Sequence, residues 1–154
     1  GERTSVTENR LTGFYRACDE LGLEIPEEYV REGVYHDPDR CAELTQELLK
    51  LEVPPTCILM PDDISSIGGG NAIRRMGFRL PGDVSAAGYD GIQLSSVMNP
   101  PLTTYRQDTQ ALGKTAAAKL IELIEKPRTA LVDRILIPGR LVEGASVQAI
   151  EPQE

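Results

Sequence analysis

Pro54-Pro55-Thr56-Cys57-Ile58-Leu59-Met60-Pro61-Asp62-Asp63 is the stretch on which the fold turns. A double proline breaks whatever precedes it. Thr56 to Met60 is then a continuous apolar run, the mark of a strand buried on both faces. Asp62 and Asp63 suit a helix N-terminus, where exposed amides and the helix dipole favour negative charge. The stretch therefore predicts a strand that passes straight into a helix. That helix is expected to reach about Met76, with Ile64, Ile67 and Ile73 as its large apolar residues, and Gly77 ends it.

The alternation continues on both sides. Downstream, Val84-Ser85-Ala86-Ala87-Gly88 predicts a second buried strand that closes in Tyr89-Asp90-Gly91. A loop leads to Pro100-Pro101, and Leu102-Thr103-Thr104-Tyr105 is extended. The longest helix is predicted over 109–125, with Leu112, Ala116, Leu120 and Leu123 or Ile124 inward; Lys126-Pro127 close it. Residues 134–137 and 140–143 read as short β segments joined by Pro138-Gly139 as a tight turn. Upstream, Asp37 caps a helix that starts at Pro38 and ends near Leu51, with Cys41, Leu44, Leu48 and Leu51 in its stripe. Residues 29–34 read as a short strand. A helix over 6–22 carries Leu11, Phe14, Cys18 and Leu21 at helical spacing. Alternation of this kind means an α/β fold, a parallel sheet covered by helices. Ligands in such sheets bind beyond the carboxyl ends of the strands, which singles out Tyr35, Asp62, Asp63, Tyr89 and Asp90.

Composition narrows the function. The 154 residues hold 16 basic and 24 acidic side chains, a net charge of −8, with 40% hydrophobic and 26% charged residues. These are globular proportions, and the acidic balance argues against direct phosphate contacts to DNA by this piece. No run of 18 apolar residues exists, so no membrane span is expected. Cys18, Cys41 and Cys57 are odd in number and far apart, which predicts buried free thiols rather than disulfides or a metal site. The single histidine, His36, excludes a multi-histidine metal site and reads as a loop residue. Gly113-Lys114-Thr115 lacks the earlier glycine of a phosphate loop and lies inside a predicted helix. Gly68-Gly69-Gly70 lacks phosphate-cradle spacing; it predicts close approach of another helix or subunit, against a helix-propensity cost of about 1 kcal/mol per glycine. Asp62-Asp63 resembles a magnesium-binding acidic pair of receiver domains, with Asp90 as phospho-acceptor, but no strand ends in a suitable lysine.

Four motifs recur in one order: Arg10-Leu11-Thr12-Gly13-Phe14; Met60-Pro61-Asp62-Asp63; Leu80-Pro81-Gly82-Asp83-Val84-Ser85-Ala86-Ala87-Gly88-Tyr89-Asp90; and Pro100-Pro101-Leu102-Thr103-Thr104-Tyr105-Arg106-Gln107. In that order and spacing the chain, from about 10 to 145, resembles the effector-binding domain of the lactose-repressor/galactose-repressor (LacI/GalR) family of transcriptional regulators. The resemblance implies a three-layer α/β/α parallel sheet of the periplasmic-binding-protein-like class I type. It implies two lobes that close on a small molecule, often a sugar or related metabolite, and so alter operator binding by a helix-turn-helix headpiece. Only part of that domain is expected here. Residues 1–105 correspond to the second lobe without its first helix and strand, 106–133 to a crossover helix that packs on the first lobe, and 134–154 to return strands and a tail. Operator DNA would be met only through a headpiece outside these residues.

The resemblance also implies site residues. Arg10 would donate to hydroxyls or an anion through its planar fork. Asp90 would accept from two hydroxyls, and Tyr35 would cover a ligand face. Gln107 would line the cleft or hinge. Asp62 stands where the family usually has asparagine; an ionised Asp only accepts, which favours a hydroxyl-rich or cationic ligand. Gly91 replaces a frequent second acid, and Asp39-Arg40 stand where small residues are common. A homodimer surface is expected from Ile64, Ile67, Leu94, Val97 and Met98. Three free thiols and the Leu102-Thr103-Thr104 stretch favour a cytoplasmic regulator; no nucleophile-base pair is visible, so no catalytic residue is expected, nor any cofactor, metal or membrane partner. A secreted sugar-binding protein of a transporter shares the fold and is the second reading; a magnesium-binding receiver domain is the third.

Overall fold

The computed structural model describes residues 4–129 and 134–149. The parts of the expected segments that fall at 1–3, 130–133 and 150–154 lie outside the described residues. Helices and strands alternate in the order α1 (Ser5–Glu20), α2 (Pro38–Leu49), β1 (Cys57–Leu59), α3 (Asp63–Arg75), β2 (Ser85–Asp90), β3 (Thr103–Arg106), α4 (Thr109–Glu125) and β4 (Arg140–Val142). Each of the four α-helices starts where an oxygen-bearing side chain takes an orphan amide. Thr4 accepts from Thr7, Asp37 from Arg40, Asp62 from Ser65 and Asp108 from Ala111. Each such cap is worth about 1 kcal/mol.

The sheet order is β1-β2-β3-β4. β1, β2 and β3 are parallel, in register Ile58 to Ala86 and Gly88 to Thr104. β4 runs antiparallel to β3, with Leu141 opposite Tyr105. The fold is α/β with a mostly parallel sheet, as expected. Period-2 alternation sends Ile58 and Ala86 to one face, where Leu48 and Leu49 of α2, Ile73 of α3, Met60 and Val84 complete the core. The glycine triplet serves this layer. A methyl group at Gly68 would overlap the Pro38 carbonyl, and one at Gly69 would strike the Met60 side chain. The neighbour that the triplet admits is therefore helix α2.

The opposite face is thinly covered among the described residues. Leu59 is 56% exposed and Leu141 61% exposed. The apolar run at 56–60 is thus an edge strand open on one side, not a strand buried on both faces. β1 has one strand neighbour, β2, so residues 29–34 find no ladder; the expected strand there is a turn of 3-10 helix at Glu27–Tyr29 followed by chain in no regular element. The expected hairpin at 134–143 is also absent. β4 pairs with β3 instead, and the Gly139 amide donates to the Tyr105 hydroxyl at 3.1 Å. The spacing of Leu11, Phe14, Cys18 and Leu21 does form a helix, yet only Cys18 of α1 is buried. α4 buries no residue at all. Of the thiols, Cys18 is buried, Cys41 half-buried and Cys57 exposed on the open edge, which corrects the expectation for the last two.

Candidate functional site

At the carboxyl end of the sheet, side chains from four separate segments meet. Arg10 lies on the second turn of α1. Its Nη1 donates to the Pro61 carbonyl at 2.7 Å, which ties the helix to the β1–α3 connection. The guanidinium lies over the Tyr89 ring at 3.9 Å and over the Tyr35 ring at 5.3 Å. Cation–π contacts of this kind contribute about 0.5–2 kcal/mol each, the more so when water is excluded. Nη2 stands 3.6 Å from Asp90 Oδ1, an ion pair too long to be a hydrogen bond. Gln107 Nε2 donates to that same Oδ1 at 2.7 Å, and the Gln107 amide donates to the Asp90 carbonyl at 3.2 Å. The Tyr35 and Thr7 hydroxyls lie 3.3 Å apart. Tyr89 stacks in turn on Tyr105, with ring centroids 5.4 Å apart.

Arg10, Tyr35, Asp90 and Gln107 are therefore brought together, as the family resemblance implied, although no strand leads into Tyr35. Chemically the cluster offers a fixed cation, a carboxylate, an amide, phenol hydroxyls and aromatic faces. That set can bind a small polar molecule through both its donors and its acceptors. An open depression of about 650 Å³ adjoins it, lined in part by Asp90, Ile92, Arg106, Gln107 and Arg140. A smaller one of about 410 Å³ along α4 contains none of the expected site residues.

Asp62 is placed differently. It is 1% exposed. Its Oδ1 accepts from the Ser65 amide at 2.8 Å, and its Oδ2 from the His36 amide at 3.0 Å and the Ser65 hydroxyl at 2.8 Å. Burial alone would raise its pKa, but these donors outweigh burial and hold it below the ordinary carboxylate value. Its neighbour Asp63 is equally buried. Oδ1 of Asp63 accepts from the Thr104 hydroxyl at 2.6 Å and Oδ2 from the Ile92 amide at 2.9 Å. Here burial wins, and the pKa is raised. His36 is an exposed turn residue with φ +58°, as its loop reading requires.

Two site features escaped sequence reasoning. Tyr89 was singled out only by its position after a strand, yet its ring is the platform for Arg10. The link between Asp63 and Thr104 joins residues 41 apart in sequence, and the readable signal for it is Gly88, where any Cβ would press on the Asp63 carboxylate.

A family model described as a periplasmic binding protein-like domain matches residues 1–147. The chain belongs to the periplasmic binding protein-like family. Within it, the chain groups with LacI/GalR effector domains. It is 37% identical over 150 residues to the HTH-type transcriptional repressor PurR of Mannheimia succiniciproducens, covering 97% of this chain and 44% of that protein. A LacI transcriptional regulator from Bacillus cereus subsp. cytotoxis superposes with TM-score 0.91 at 28% identity, covering 98% of this chain and 53% of that one. A lac repressor dimer, bound to operator and the anti-inducer ONPF, matches with TM-score 0.83 at 29% identity, over 93% of this chain and 48% of that one. The chain thus spans 36–44% of the length of these PurR relatives. As a periplasmic binding protein-like chain, it carries its candidate site where strands β2 and β3 end.

Proposed function

We propose that this chain is the effector-binding part of a LacI/GalR-type transcriptional regulator, and that a small polar metabolite of the sugar class binds between Arg10, Tyr35, Asp90 and Gln107. One observation carries the reading. A cation and a carboxylate from distant segments face each other at 3.6 Å with two aromatic rings against the cation, at the end of the sheet where such folds bind ligands. Among the described residues no hydrogen bond reaches Asp90 Oδ2, which leaves it for a ligand donor, while both oxygens of Asp62 are already engaged. Asp62 thus enters this reading as support rather than contact.

In this reading residues 1–105 belong to one lobe, and α4 within 106–133 packs on the other. The large exposed residues of α4, Leu120 at 59%, Ile121 at 54% and Ile124 at 69%, support that assignment. Ile64, Ile67, Leu94, Val97 and Met98 form the face toward a second copy; Leu94 is 45% and Val97 72% exposed, and the other three are half-buried. Operator DNA is read by a separate headpiece. No helix among the described residues is long and apolar enough to cross a membrane.

The test uses the full-length protein. A thermal-shift screen with sugars and purines identifies a binder, because a ligand of the folded state stabilises it by mass action. Arg10→Ala and Asp90→Ala are then expected to abolish the effector's influence on operator affinity while leaving operator binding itself intact. A normal response in both variants overturns the site assignment.

A further inference from the structure

We propose that the adjacent acids Asp62 and Asp63 are a pair of positioning residues that set the two walls of the site: Asp62 holds the loop bearing Tyr35, and Asp63 holds the turn bearing Asp90. The proposal rests on the site reading above.

The backbone supplies the first argument. Among the described residues, two that are not glycine have positive φ: His36 at +58° and Asp90 at +106°. Side chains disfavour this region, and residues persist there only where their surroundings over-determine the conformation. Both lie at the site. His36 directly follows Tyr35, and Asp90 is itself the carboxylate facing Arg10. Each is held by one member of the acidic pair. The His36 amide donates to Asp62 Oδ2 at 3.0 Å. Just beyond Asp90, the Ile92 amide donates to Asp63 Oδ2 at 2.9 Å, and the Gly91 amide donates at 3.3 Å to the Thr104 hydroxyl that is itself bonded to Asp63.

The second argument is the common anchor. Asp62 caps α3 and Asp63 is its first residue, so both clamps start from one rigid point. That point is packed closely: Ser65 and Ser66 are buried, and Gly68 and Gly69 seat the helix against α2 and Met60. With both carboxylates 1% exposed, water cannot readily replace a lost bond. Two consecutive residues thus help to set the separation of Tyr35 from Asp90, and hence the width available around Arg10, with Gln107 holding Asp90 from the other side.

The donor chemistry gives a discriminating test. The two Asp62 oxygens each receive a backbone amide, from Ser65 and from His36, and an amide cannot reverse its polarity. Asparagine offers one acceptor and one NH2 group, so Asp62→Asn keeps a good helix cap but loses His36. One Asp63 oxygen instead faces a hydroxyl, which can turn around. Asp63→Asn can keep Ile92 and donate to Thr104, whereas Asp63→Ala keeps neither.

Hydrogen–deuterium exchange of the full-length protein, followed by mass spectrometry, reads each loop without any ligand. Asp62→Asn is expected to speed exchange at 34–37 by about tenfold, roughly what one lost hydrogen bond produces, with 66–76 and 90–93 unchanged. Asp63→Ala is expected to do the same at 90–93 alone, and Asp63→Asn to match the parent protein at both. The proposal is overturned if Asp62→Asn leaves 34–37 unchanged, if it speeds 66–76 as much, as a plain helix cap would, or if Asp63→Asn loosens 90–93 as far as Asp63→Ala does. Should Asp63→Ala fail to fold, the two asparagine variants still decide the matter. Arg10→Ala in the effector-response assay tests the site reading independently, so a failed site and a failed clamp give different results.

Discussion

Asp83 shows how a single side chain responds to its surroundings in this chain. It accepts from the Arg79 amide at 2.6 Å and from the Arg79 guanidinium at 2.6–3.1 Å. The guanidinium bonds, joined by the amide, pull its pKa from the ordinary 3.8 to about 2. A depressed carboxylate contributes stability above its unfolded value and loses that contribution as pH falls through its folded value. The window here is therefore pH 3.8 down to about 2. Both partners are bathed in solvent, so the effect is small and salt-sensitive. Asp83→Asn is expected to melt slightly below the parent protein at neutral pH, with the gap closing through that window. Melting curves from pH 7 to 2 check this, and a gap that persists at the acid end counts against it. The neighbours Asp62 and Asp63 divide in sign for the same reason. Asp62, held low by its donors, stabilises above its window, while the raised pKa of Asp63 means that its contribution weakens as pH rises.

At the scale of elements, capping and alternation were readable and burial was not. Asp37 and Asp62 start their helices where the sequence places such residues, and the alternation from Pro38 to Glu125 forms as expected, while the strand at 29–34 and the hairpin at 134–143 do not. The apolar run at 56–60 forms a strand, yet Cys57 and Leu59 stay exposed because no strand or helix among the described residues covers that side. An apolar pattern states which side chains favour burial; it does not say which surface receives them. The same gap explains residues 29–34, left without a ladder. Of the site, Arg10, Asp90 and Gln107 were legible from motifs and a strand end, and Tyr35 from the family resemblance alone, since the strand expected before it does not form. The inward turn of Asp62 was not, since its fate depends on a His36 amide that lies 26 residues away. α4 offers the cleanest check. Leu120→Gln is expected to change the unfolding free energy of the 154-residue chain, read from urea denaturation, by no more than about 0.5 kcal/mol, as at open surface. In the full-length protein it is expected to cost more than about 1 kcal/mol if α4 packs on the other lobe. Ile73→Ala, at a fully buried site, is expected to cost about 2–5 kcal/mol in either chain. Equal, small effects of Leu120→Gln in both chains would remove α4 from the lobe contact.

For the molecule as a whole, the net charge of −8 disfavours direct contact of this piece with DNA phosphates. In a two-fold pair the same surface serves on both copies, so one substitution acts twice. Val97→Asp is expected to turn a full-length dimer into a monomer in analytical ultracentrifugation; an unchanged dimer moves the interface elsewhere. The tyrosines of the cleft have a further use. The chain has five tyrosines and no tryptophan. Three of the five, Tyr35, Tyr89 and Tyr105, stand in the Arg10 cluster or stack on it. Most of the phenol rings of these 154 residues therefore lie in or against the proposed ligand site, with no indole here to drain their emission. A molecule that draws Arg10 off the Tyr89 ring changes that glow directly, so the cleft carries its own optical gauge, with no dye attached.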